Sequence, residues 1–351
     1  MNNNLRKTKT YISLQVLYTF LASLLMVYHA TQHYNSYGNQ DLFWNFFKFG
    51  EMGEDLLFVL MGFTIFYTSY HFIEKSKGYK EYMVHTVSRI FLVYWVLIAI
   101  PGVIVWFINP DIHPSIANIK SDEIWQTLTM WFGHPRIAII TWVLTQLVFF
   151  AIVFGLAIIS KKFIYLWYLI LSFSIINLID RVTIGSQPFG SDVWYRVFSP
   201  HNIEFAYGAL AYFLLKKGFL VKNYKLFLVF SIIVFFAVGL IHAQGVYNLY
   251  DSRILNFGLA ALLITVATIN YSQFISKAPN NIFVKLGEAE YIILLIHGPI
   301  LSIINSRIAI NYSFGWIITL VTIFMILTVS YFIRIKLEAP TLEFIHKYFI
   351  K

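Results

Sequence analysis

Residues 53–63 read Gly53-Glu54-Asp55-Leu56-Leu57-Phe58-Val59-Leu60-Met61-Gly62-Phe63, and the apolar run that they open continues to about residue 73. Roughly 20 apolar residues in a row are what a hydrocarbon slab of about 30 Å demands of a helix. An acid at the head of such a run is costly in lipid and needs a partner, a cavity or a task. The same holds for His29, near the end of the first apolar run. Together they predict a membrane helix bundle with polar side chains held inside it.

Runs of the same kind recur along the chain. Ten spans are predicted, near 11–33, 54–73, 87–108, 137–159, 163–179, 197–215, 224–243, 253–275, 282–306 and 312–333. Hydrophobic residues make up 58% of the 351 and charged residues 12%, half of the roughly 25% that wets a soluble domain. Mean hydropathy is +0.68. The alternation of a membrane barrel is absent. The fold class expected is therefore all-α, a polytopic integral membrane bundle forming a single transmembrane domain over 1–351. The first span lacks the parts of a secretory signal and is expected to be retained. The long gap 109–136 has room for a short helix lying on the membrane surface. Gly298-Pro299 is expected to kink or end the ninth span.

Lys and Arg orient the bundle. With the N-terminus inside, only Lys48, Lys120, Arg136, Arg181, Arg196, Arg253 and Arg307 of the 26 fall outside. Both termini are thus expected in the cytoplasm. The net charge of +9 follows from this bias and from attraction to anionic lipid headgroups, and asks for no nucleic acid. Cysteine is absent, which excludes disulfides, thiolate nucleophiles and Cys-based metal sites. Lys, Asn, Ile and Phe outweigh Arg, Ala and Val, a drift associated with an AT-rich bacterial genome.

Several side chains in these spans bear chemistry. His29 falls in the outer half of its helix, where a neutral imidazole can take a proton from a hydroxyl; the alternative is an interfacial histidine wetted by headgroups. His33 makes an i,i+4 pair with it, but no adjacent carboxylate completes a metal site. Asp55 either caps its helix or fixes the tautomer of a histidine. Arg89 ends an inner basic cluster with Lys75, Lys77 and Lys80, suited to an anionic cofactor or simply to the positive-inside rule. Glu204, Glu288 and His297 lie in other apolar spans. Each could be a structural pair; together they suggest a shared polar cavity.

These motifs, taken in order, resemble the acyltransferase 3 family of integral membrane enzymes. Gly53 to Phe63 is similar to the family's Gly-Val-Asp-x-Phe-Phe-Val-Leu-Ser-Gly-Phe. Arg89 to Trp95 is similar to Arg-Ile-x-Pro-x-Tyr-Trp, Glu204-Phe205-Ala206-Tyr207-Gly208 matches Glu-Phe-x-x-Gly, and Leu286 to Pro299 is similar to the late His-x-Pro segment. The family's first-span Arg, followed by a His, corresponds to Tyr18 and His29. The resemblance implies O-acylation in the bacterial cytoplasmic membrane. Acetyl-CoA or another acyl-CoA would donate, and a surface glycan or lipid-linked sugar would accept, beside polysaccharide-synthesis machinery. His29 would be the base, with Asp55 orienting it. Arg89, Tyr18, Lys75 and Lys77 would face the donor, and Glu204, Glu288 and His297 would line the acceptor cavity. No metal is implied. Three positions depart from the family: Tyr18 stands for Arg, Met61 for Ser and Leu92 for Pro.

A polysaccharide exporter or flippase built on the same bundle is the rival reading. Its outer Arg136, Arg181, Arg196, Arg253 and Arg307 would guide an acidic polymer, unless they pair locally, as in Asp180-Arg181, Asp192 with Arg196, or Asp251 with Arg253.

Overall fold

The structure is a computed structural model that describes residues 3–38, 42–75, 78–108, 124–131, 141–185, 188–189, 192–244, 252–275, 281–308 and 314–349. Among these residues there is no strand, and nearly all are helical. Lipid offers no water to a bare N–H or C=O, so each spanning segment closes its own backbone bonds. Hydroxyls follow the same rule and bond back one turn, as in Thr145 to Thr141 O (3.0 Å) and Ser231 to Phe227 O (2.7 Å).

In chain order the helices are α1 Asn3–Gly38, α2 Met52–Lys75, α3 Tyr79–Phe107, α4 Ile124–Thr129, α5 Thr141–Ile159, α6 Ile164–Thr183 and α7 Asp192–Val197. They continue with α8 His201–Lys216, α9 Tyr224–Ala243, α10 Arg253–Phe274, α11 Ile282–Glu288, α12 Glu290–Arg307 and α13 Gly315–Phe349. A 3₁₀ segment, Leu42–Glu51, links α1 to α2.

Among the described residues eight helices are long and apolar enough to cross a membrane, and α11 with α12 makes a ninth if that bent pair is one span. The expected span 197–215 corresponds to α8, whose 16 residues reach only about 24 Å. α8 begins only after Ser199-Pro200, and its first turn buries the polar Asn202 and Glu204 completely. The third span begins at Tyr79, one helix-length of two turns before the expected 87. The short helix expected in 109–136 is α4, held by Trp95 Nε1 donating to Leu128 O at 2.7 Å.

Two irregularities matter for the site. α3 contains π turns at Ser88–Leu92 and Trp95–Ala99, the second just before Pro101, which has no N–H to give the preceding turn. The kink expected at Gly298-Pro299 does not stop α12, which runs through Pro299. The chain bends by 74° nine residues before Gly298, between α11 and α12 at Ala289.

α1, α2, α5, α8, α10 and α12 form the interior, while α6, α9 and α13 turn large apolar side chains such as Tyr165, Phe230 and Phe324 outward. The helices α2 and α8 approach backbone to backbone, as do α1 and α11 at Gly287. A Cβ on Gly62 would stand 2.2 Å from Phe205 O, and one on Gly208 would stand 2.1 Å from Val59 O. Small residues permit this backbone approach in lipid. Gly208→Ala is therefore expected to cost about 1–3 kcal/mol by overpacking, seen as a lower unfolding midpoint in detergent. Leu210→Ala, on the outward face of the same helix, should change stability by less than about 0.5 kcal/mol.

Candidate active site

Three polar clusters lie along the interior. The first is at the heads of α2, α8 and α10. Arg253, the first residue of α10, donates through Nε to Asp55 Oδ1 (3.1 Å) and through Nη2 to Asp55 Oδ2 (2.7 Å). It also reaches Glu51 Oε1 at 3.0 Å and Glu54 Oε2 at 3.3 Å. A guanidinium meets a carboxylate as a two-pronged fork, which fixes direction as well as charge. Glu204, fully buried, has its Oε2 2.7 Å from Nδ1 of His201. His201 is stacked on Phe58 at 4.6 Å, and Asn202 ties the same turn to Gln146, Ser174 and Val197. Asp55, His201 and Glu204 each bring a ligand-type atom within 4.8 Å of the others, although both Asp55 oxygens are already held by Arg253.

The second cluster joins α1 and α12. His29 is 3% exposed and His297 is fully buried, with ring centroids 5.2 Å apart. His297 donates Nδ1–H to Ile293 O at 2.9 Å, so in the neutral ring its Nε2 is a bare acceptor. Neither ring nitrogen of His29 has a hydrogen-bond partner among the described residues, and neither does His297 Nε2. Buried polar atoms are nearly always paired, so an exception asks for a function. Beside them Asn305 donates to Ala30 O (3.3 Å) and accepts from Thr319 (2.8 Å), which locks α12 to α1 and α13.

The third cluster is at the opposite end. Arg89, 40% exposed at the side chain, stands 3.9 Å from Glu290 at the start of α12. Tyr291 donates to Ile90 O at 2.8 Å, a carbonyl within the first π turn of α3. Tyr18 bonds Thr64 Oγ1 at 2.7 Å and Leu60 O at 3.3 Å, which joins α1 to α2 at this level. From Glu290 to His297 is seven residues, about 10 Å along α12. The second and third clusters are thus two ends of one helix face.

The structure sorts the candidate residues accordingly. His29 and His297 come together, as do Arg89 and Tyr18 around the start of α12. Asp55 does not hold His29: its oxygens go to Arg253, 198 residues away, and to the neighbourhood of Glu204. Glu288 is half-buried at the end of α11, and the acid that meets Arg89 is Glu290, because the bend at Ala289 separates the two. Lys75 is exposed at the end of α2, and Lys77 lies outside the described residues. Arg253 is drawn inward to Asp55, Glu51 and Glu54, and Arg181 to the hydroxyl of Tyr195 at 3.3 Å. Asp251 and Arg136 also lie outside the described residues.

Sequence reasoning missed His201, Arg253 and Glu290 as site components. The His201-x-x-Glu204 spacing, which puts both on one helix face, was the available signal for the first. An Arg opening an apolar run was the signal for the second.

No curated protein and no solved structure matches the chain. The model of a family described as an acyltransferase domain matches residues 11–335, nearly the whole chain. With the transmembrane helices already in view, the chain belongs to the acyltransferase 3 family, and it is a multi-pass membrane acyltransferase.

Proposed function

We propose that this enzyme moves an acyl group, acetyl in the simplest case, from cytosolic acyl-CoA to a hydroxyl of a cell-surface or exported glycan. The observation that carries the reading is His29: a buried imidazole whose two nitrogens are unpartnered, facing a second histidine. A neutral imidazole keeps a lone pair on one ring nitrogen, which accepts the acceptor hydroxyl's proton as the oxygen attacks the thioester carbon. The tetrahedral intermediate then collapses, the C–S bond breaks, and the CoA thiolate recovers the proton from His29. The products are the O-acyl ester and free CoA. His297 Nε2 is a nearby acceptor that steadies the imidazolium while it exists.

Asp55 acts at a distance in this scheme, bracing α2 against α10 through Arg253. Glu204 and its partner His201 stand on the acceptor side, and Glu288 is not needed there. Arg89, Tyr18 and Lys75 stay on the donor side, where the excess of Lys and Arg marks the cytoplasmic face. An acceptor on one side and CoA on the other explains why the polar groups run along α12. The exporter reading gains nothing from Arg253 and Arg181, since both are spent on partners inside the protein.

The test is transfer of labelled acetyl from acetyl-CoA to a lipid-linked sugar in proteoliposomes. Arg89→Ala is expected to raise the donor KM about tenfold, worth about 1.4 kcal/mol, with Arg89→Lys recovering part because it keeps a charge beside Glu290. Lys75→Ala should change it less than about twofold, since water replaces an exposed charge at little cost. Equal KM values for the two alanine variants would remove Arg89 from the donor site. A wild-type protein that transfers nothing from any acyl-CoA would overturn the reading itself.

A further inference from the structure

A cavity of about 450 Å³ opens where the end of α2, the start of α3 and the end of α13 meet. That is within the range of small-molecule sites. Among the described residues its walls carry three imidazoles, His71, His85 and His346, together with Lys347, against the single acid Glu81. Phe72 and Tyr82 supply flat apolar surface beside them. His85 of α3 and His346 of α13 are stacked, with centroids 4.9 Å apart and planes at 25°. His346 Nε2 is buried without a hydrogen-bond partner among the described residues. Such a wall of N–H donors and aromatic faces suits a planar base joined to phosphates.

Its place in the fold gives the occupant a direction. His85 lies four residues before Arg89, one turn away on α3, and Arg89 leads to Glu290 and so along α12 to His297 and His29. Acyl-CoA has the same polarity, an anionic nucleotide at one end and a thioester at the other. The α13 wall is set by a π turn at Arg334–Glu338, closed by an Arg334–Glu338 ion pair of 3.3 Å. That turn shifts the helical register and brings the following residues onto α3. His346 and Lys347 lie beyond residues 11–335, the part that carries the family match.

We propose that this cavity takes the nucleotide end of the donor, and that His346 and Lys347 of the C-terminal helix hold its phosphates. This rests on acyl-CoA being the donor. The test uses the full-length protein in proteoliposomes with two donors, acetyl-CoA and acetyl-pantetheine, which has the same thioester but no nucleotide. His346→Ala with Lys347→Ala is expected to raise KM for acetyl-CoA about tenfold, leaving kcat and the KM for acetyl-pantetheine unchanged. His85→Gln should act in the same direction. Unchanged KM values for both donors, or equal rises for both, would overturn the proposal while leaving acyl transfer intact. Absence of transfer from both donors by the wild type would instead remove the donor assignment, and the pocket with it.

Discussion

His29→Gln is expected to lower acyl transfer by about 10² to 10⁴-fold, the range that a positioned general base contributes. Gln keeps a polar group of similar reach but has no basic nitrogen, so it cannot take the hydroxyl proton. The fold should survive, because neither ring nitrogen of His29 makes a hydrogen bond that the change would break among the described residues. The unfolding midpoint in detergent should therefore stay close to that of the wild type. The measurement is the initial rate of acetyl transfer to the sugar acceptor at saturating donor, with the midpoint recorded in parallel. A variant that transfers at the wild-type rate would make His29 structural, and the search for the base would pass to the His201–Glu204 pair.

Arg253→Met should have the largest effect on stability. Arg253 is the shared partner of Asp55, Glu51 and Glu54, and its side chain is only 9% exposed. Removing one partner of a buried ion pair costs about 3–5 kcal/mol, because the charge left behind has neither water nor a counter-ion. Here three acids lose the same partner, so poor membrane accumulation and a much lower unfolding midpoint are expected. Adding Asp55→Asn to Arg253→Met should recover part of the loss, since a neutral amide needs no cation. Coupling of about 0.5–3 kcal/mol is expected for residues in one network. Strictly additive losses would show that Asp55 and Arg253 act independently.

Much of the site was legible as a set of residues and little of it as a set of pairs. His29, Asp55, Arg89, Glu204 and His297 stand out because each is a costly side chain in an apolar run, and cost in lipid is visible from composition alone. Asp55 was matched with the wrong partner for a geometric reason. Its nearest histidine by motif order is on α1, but Gly62 and Gly208 let α8 close on α2, and α10 packs against both. That packing brings Arg253 to Asp55. Glu288 was expected in the acceptor cavity, whereas its neighbour Glu290 meets Arg89; on a straight helix the two differ by about 200° of rotation, and the bend at Ala289 separates them further.

The amino-acid sequence by itself determined the class of the protein, the order of its spans and the family to which it belongs. These depend on the length and composition of each segment and on motifs within one helix, which are local properties. The tertiary structure alone decided which polar groups meet: His29 with His297, Asp55 with Arg253, Arg89 with Glu290, His85 with His346. The spans are apolar around much of their circumference, so their hydropathy carries almost no rotational phase. That phase is set by glycine contacts, π turns and one sharp bend, whose effects appear only when the helices pack.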